Sequence, residues 1–261
     1  MSSTRLMVTP ARFQLSRLSR ALYEQFLRNA TARQFAFIQF RDFLGPALPE
    51  RFIALRHDVD FAPEYALAMA ELEHAAGIAS TYFVLTDGQF YDVLARSVVR
   101  TVRRIHELGH EIGLHFAVSS ALDADIGREV AWRMDVLSAI AGRPIRSYAQ
   151  HDPVNGGFAD VVLPESSAPA VDAYKAIRDH DLLYVSESAK MWRQHTFDTA
   201  LAEGRNLCLL AHPHSWLHPN DDYIGMIRDF QAAEIDRASA PFDRFVDALV
   251  GYYERRLQDG V

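Results

Sequence analysis

Asp58, Asp60, His115, His151 and His212 have the side chains best suited to chemistry in this sequence, and each stands at or just after the end of a short apolar run. Asp58 and Asp60 follow the run 51–56. His115 closes 110–116, His151 and Asp152 follow 145–150, and His212 and His214 follow 207–211. If these runs are parallel strands, their carboxyl ends share one face, and residues distant in the chain meet there. Imidazoles and carboxylates gathered in this way suit a divalent cation. Three protein ligands plus water make a catalytic site of the zinc type, in which the ion acidifies the water or polarises a carbonyl. Each residue also has a plainer reading. A histidine at a strand end is usually a satisfied polar group, and Asp60, shortly before Pro63, suits a helix N-cap. Four such strand ends together favour one shared site.

The runs must therefore be strands joined by helices, and the chain has that rhythm. The spacing predicts a helix over 13–28, with Leu15, Leu18, Leu22 and Phe26 on one face, and a short strand or packed arm over 35–44. Strands follow at 51–56, 80–85, 110–116, 145–150, 182–186 and 207–211. Helices are expected from Pro63 to about Ala76, then at 93–108, 123–141 and 170–180, with Gly77, Gly109 and Gly142 as stops. Two more helices are expected near 223–235 and 242–257. Such alternation predicts a parallel sheet with helical crossovers. No Gly/Ser-rich linker divides the chain, so one domain over 1–261 is expected, with 1–48 as a helical arm packed on it.

Composition narrows the function. With 34 acidic and 27 basic residues, a formal net charge of −7 disfavours a general nucleic-acid binder. The single cysteine, Cys208, excludes an internal disulfide and reads as a small core residue. No window approaches the ~20 apolar residues of a membrane span, and 1–12 lack the unbroken apolar stretch of a secretion signal. A cytoplasmic location is the expectation.

Arg56-His57-Asp58-Val59-Asp60, with Ser80-Thr81-Tyr82-Phe83-Val84 after a helix, resembles the opening of the polysaccharide-deacetylase (NodB-homology) superfamily. Gly109-His110-Glu111-Ile112-Gly113-Leu114-His115 is similar to its third-strand motif, and Leu209-Leu210-Ala211-His212-Pro213 to its last. The resemblance implies a distorted parallel (β/α) barrel of about seven strands. It also implies removal of an N-acetyl group from a sugar or glycan, with zinc as the expected divalent ion. By resemblance Asp58 is the general base, Asp60 and His115 are metal ligands, and His212 is the general acid. Val59 between the two aspartates leaves their roles open to exchange.

The chain also departs from the pattern. Ser119 stands where a second histidine of the third motif is expected, so His151 is the candidate third ligand. The arginine that orients the base is missing from Ala149-Gln150-His151-Asp152-Pro153, and Arg56 is its candidate stand-in. Arg56, Glu187, Trp192 and His214 are the candidates for the substrate side of the cleft. Trp192 reads equally as a packed aromatic, and His110 is assigned to structure because strand alternation turns it away from His115. Two other functions fit these departures: a metal-independent amide or ureide hydrolase on the same fold, and a non-catalytic carbohydrate-binding protein.

Overall fold

The fold is described from a computed structural model, covering residues 14–15, 18–88, 90–122, 124–153, 157–192 and 195–258. The expectation for residues 1–12 lies outside these. The chain divides into two compact units, 1–219 and 220–261.

In the first unit the strands are β1 (Gln14–Leu15), β2 (Ala36–Ile38), β3 (Phe52–Val59), β4 (Thr81–Leu85), β5 (Glu111–Phe116), β6 (Ser147–Gln150), β7 (Val171–Asp172), β8 (Leu183–Ser188), β9 (Met191–Trp192) and β10 (Leu207–Ala211). The helices are α1 (Arg20–Ala32), α2 (Pro63–Ala75), α3 (Arg96–Glu107), α4 (Ile126–Ala141), α5 (Ala173–Asp179), α6 (Phe197–Glu203) and α7 (Pro213–Leu217). The sheet runs β8-β10-β3-β4-β5-β6-β7, seven strands parallel throughout. β9 folds back antiparallel on β8, β1 pairs antiparallel with β9, and β2 lies parallel beside the first half of β3. The ring of Tyr174, just after β7, comes within 6.2 Å of that of Tyr184 on β8. The two edges approach without pairing, as in a curled half-barrel.

β3 lies at the centre, and all eight of its residues are buried, as expected for a strand covered on both faces. Ala54 packs inside the curl with Phe40, Phe83, Ala149 and Cys208. Leu55 packs outside, among residues of α1, α6 and α7. A third cluster joins β4 and β5 to α2, α3 and α4. At Gly113 on β5 an added Cβ would lie 2.5 Å from the Phe83 ring and 2.7 Å from Ser147 Oγ, so the interior there admits only glycine.

Several boundaries differ from expectation for local reasons. α1 begins at Arg20, not Phe13, because the Ser19 hydroxyl accepts from Leu22 N and caps it. α4 starts at Ile126 behind the cap Asp125. The short helices α6 and α7 and the strand β9 were not expected, since each is too short to show periodicity. Glu187 pairs with Trp192 across the β8–β9 turn, where Ala189 and Lys190 both take positive φ (52° and 60°). In the second unit the two expected helices are one, α8 (Tyr223–Gln258), which continues through Pro241. Among the described residues no helix is long and apolar enough to cross a membrane.

Behind β3 lies a buried polar network. His57 points away from the interior, and its Nε2 is 2.6 Å from Glu73 Oε1 on α2. Tyr23, Ser80 and Tyr82 donate to the same carboxylate, the last two at 2.5 Å and 2.9 Å. Burial works to raise the Glu73 pKa, but His57 and the other donors hold it down at about 2. A depressed carboxylate pKa stabilises the fold above the unfolded value and loses that contribution as pH falls toward the folded one. Glu73 is therefore expected to contribute on the order of 3 kcal/mol at neutral pH, lost between about pH 4.5 and pH 2. Urea denaturation across that range should show Glu73→Gln with a much flatter pH slope than the parent, and equal slopes would refute the assignment.

Candidate active site

Strand alternation builds the site. Arg56, Asp58 and Asp60 stand at i, i+2 and i+4 along β3 and just past its end, so all three face the interior, while His57 and Val59 face outward. Asp60 is not a helix cap: α2 is preceded by Ala62, which takes φ +40° and makes no side-chain cap. Ala62 and Asp152 (φ +43°) both place the backbone in the left-handed region, one or two residues after Asp60 and His151. Such strain gathers where a site dictates the backbone path.

Asp60, His115 and His151 each offer an atom, and the three lie within 4.8 Å of one another. Asp60 Oδ1 is 3.4 Å from His115 Nε2 and 3.4 Å from His151 Nδ1, and those two nitrogens are 3.2 Å apart. His115 Nδ1 is 2.8 Å from the Ala149 carbonyl oxygen. In the neutral ring that bond assigns the proton to Nδ1 and leaves the Nε2 lone pair facing Asp60. A backbone carbonyl behind a ligating imidazole is the usual way its coordinating nitrogen is oriented. Asp60 Oδ1 is buried with no hydrogen bond. A lone pair facing an orphaned carboxylate oxygen, with a second imidazole beside both, is a donor set that a cation completes. One oxygen and two nitrogens suit zinc or a similar divalent ion.

Asp58 is held differently. Arg56 Nε donates to its Oδ1 at 2.7 Å and Arg56 Nη2 to its Oδ2 at 2.8 Å, a bidentate pair. The guanidinium is fully buried, lies 5.1 Å over Phe83 and 4.7 Å over Tyr174, and has the Tyr174 hydroxyl 3.4 Å from Nη2. Burial would raise the Asp58 pKa, and the Arg56 charge holds it below the ordinary value. Asp60 is held well below its own, burial being outweighed by the rings of His115, His151 and His212.

His212 stands against the second oxygen of Asp60. Its Nε2 is 3.5 Å from Asp60 Oδ2, and its Nδ1 is 3.2 Å from Glu187 Oε1, which also accepts from the His212 backbone N at 2.6 Å. Burial lowers the His212 pKa, but Glu187 and the two aspartates outweigh it and push it up to about 9.

The structure thus brings together Asp58, Asp60, His115, His151 and His212. It buries all four of the expected substrate residues. Arg56 is fully buried beneath Asp58. Glu187 has no exposed surface either; as the end of β8 beside β10, it backs His212. Trp192 packs with Phe197 and Trp216 in the outer core at ring distances of 4.6 Å and 5.8 Å, on the opposite face of the sheet from the inward-facing Asp58. His214 is buried with its ring edge-on to Phe61, and burial pushes its pKa down to about 3. His110 is structural as expected: Ser80 N donates to its Nδ1, and its Nε2 faces the Ala70 carbonyl. Sequence reasoning missed Tyr174, which no motif marks.

No family model matches the chain, and no curated protein matches it in sequence. The solved structures it resembles include family 4 carbohydrate esterases, deacetylases and a pseudoenzyme of that family. One is a family 4 pseudoenzyme from Bacillus anthracis, 15% identical, matched over 69% of this chain and 60% of its own, with a TM-score of 0.40. A family 4 carbohydrate esterase from the same organism is 13% identical over 82% of this chain and 86% of its own, at 0.38. An acetyl xylan esterase from Clostridium thermocellum, solved with a cobalt ion, is 17% identical over 70% of this chain and 84% of its own, at 0.37. The chain therefore spans less than two thirds of the pseudoenzyme's length. The chemistry proposed below rests on this chain's own side chains.

Proposed function

We propose that this chain is a metal-dependent hydrolase that removes an N-acetyl group from a sugar or glycan. The observation that supports it most is the arrangement around Asp60. A three-atom ligand set stands next to a clamped carboxylate, Asp58, and to a carboxylate-backed imidazole, His212. A divalent ion held by Asp60, His115 and His151, zinc by the chemistry of the donors, would supply Lewis acidity toward the acyl oxygen.

The protein groups divide the proton work. Asp58 stays ionised beside Arg56 and accepts a proton from the attacking water. His212, oriented by Glu187 at Nδ1, presents Nε2 as the donor to the departing nitrogen. One water and one amide thus become a carboxylate and a protonated amine: Asp58 takes a proton from the water as the C–O bond forms, and His212 gives one to the nitrogen as the C–N bond breaks. Aromatic rings lie close to these side chains in the chain or in space. Phe61 lies 4.2 Å from the half-exposed Phe90, and the exposed Phe158 stands edge-on to Tyr174 at 5.3 Å. Flat apolar faces of this kind suit the C–H face of a sugar ring.

The test is acetate release from N-acetylated sugars and chitin or peptidoglycan fragments, by protein stripped of metal and then supplied with zinc, cobalt or nickel. Turnover should appear only with metal. His151→Ala should weaken metal binding in calorimetry by roughly 10-fold or more and lower activity at sub-saturating metal. Full turnover in the stripped protein would replace this reading with a metal-independent one.

A further inference from the structure

The second unit carries a surface that the hydrolase reading does not use. α8 spans 36 residues, about 54 Å at the usual rise. Every residue from 241 to 250 is exposed, including Phe242 at 72% and Phe245 at 64%. Ile235, Ala238, Phe242, Phe245, Leu249 and Tyr252 follow one another at alternating steps of three and four, the a/d seam of a coiled coil. In proteins most of the stability of an amphipathic helix comes from what packs on its apolar face.

We propose that α8 pairs antiparallel with the α8 of a second copy, making the protein a homodimer. In an antiparallel pair each a position packs against a d position of its partner, and two-fold symmetry requires every such pair to share one centre. The seam meets that requirement: Ile235 faces Tyr252, Phe242 faces Phe245, and Leu249 faces Ala238, all centred between residues 243 and 244. A large side chain meets a small one where Leu249 faces Ala238, Ile235 packs against the Tyr252 ring, and the Phe rings meet at the middle layer.

Charge selects the same direction. The flanking g positions face each other in an antiparallel pair, which sets Glu234 against the partner copy's residue 255, an arginine in this sequence. In a parallel pair Glu234 would face Ser239, and the counterpart of Arg255 would fall beyond the end of the helix. Phe242, Phe245 and Tyr252 are 72%, 64% and 45% exposed, and at roughly 150–200 Å² per whole aromatic side chain their exposed shares from two chains come to on the order of 600 Å², to which the aliphatic and flanking residues add.

The full-length protein should sediment with the mass of two chains over a wide concentration range. Phe245→Asp should weaken the dimer by roughly 30-fold or more, with the helical circular-dichroism signal of the first unit retained. Glu234→Arg and Arg255→Glu should each weaken it, and the two together should restore it, which a parallel pair would not do. A monomer at every concentration overturns the proposal, as does a dimer indifferent to Phe245→Asp or a charge reversal without rescue.

Discussion

Asp58→Asn is expected to lower kcat by about 100- to 10,000-fold, the span of a lost general base, while the metal affinity stays nearly unchanged. The two aspartates of β3 are chemically alike, and what separates them is their partners. Both oxygens of Asp58 are engaged by Arg56, at 2.7 Å and 2.8 Å, whereas Asp60 Oδ1 has no hydrogen bond and two imidazole nitrogens near it. The free oxygen is the better ligand, and the clamped carboxylate is the better fixed base. Asparagine keeps the shape and one acceptor of Asp58 but loses the charge that takes a proton. Asp60→Asn should do the reverse and release the metal. Steady-state turnover and calorimetric metal titration on both variants check the pair of roles; loss of metal from Asp58→Asn would exchange them.

Much of this site is legible in one strand. In Arg56-x-Asp58-x-Asp60 the period of two puts all three residues on one face, so a reader who accepts the strand must also accept the clamp. The same period sends His57 outward to Glu73 and turns His110 away from His115. The seven parallel strands follow from the alternation of apolar runs and glycine-stopped helices. Glu187 was misplaced because its role depends on which strands are neighbours. β8 and β10 are adjacent in the sheet although a hairpin and a helix lie between them in the chain, so the end of one meets the end of the other. Two strand ends, one acidic and one histidine, were a usable signal. His151 is different: its place beside His115 needs the left-handed turn at Asp152, and nothing in the residue types demands a positive φ there. Trp192 and Trp216 pack by tertiary fit alone, and no local period records it. Pro241 argues for a break by propensity, yet α8 continues through it.

Arg56→Met should cost about 3–5 kcal/mol of stability in the metal-free protein, the second large effect expected. Methionine fills the space between Phe83 and Tyr174, so a cavity is not the cause. The loss comes from Asp58, left as a buried carboxylate without its main opposing charge. The sign of its pH dependence should reverse as well. With Arg56 present the Asp58 pKa is depressed, and its stabilisation is present above the ordinary carboxylate range and fades as pH falls. Without Arg56, burial is the dominant influence and raises the pKa, so the variant should be hurt most at neutral pH and recover as acid protonates the carboxyl. Arg56→Met/Asp58→Asn should regain much of the lost stability, since neither charge is then buried, and the double-mutant cycle in urea should show strong coupling. Arg56→Lys should restore the charge but not the two-pronged grip, and so recover stability better than activity. Additive single-variant losses would mean that the arginine supports the fold through its rings alone, and the fixed orientation assigned to Asp58 would have no cause.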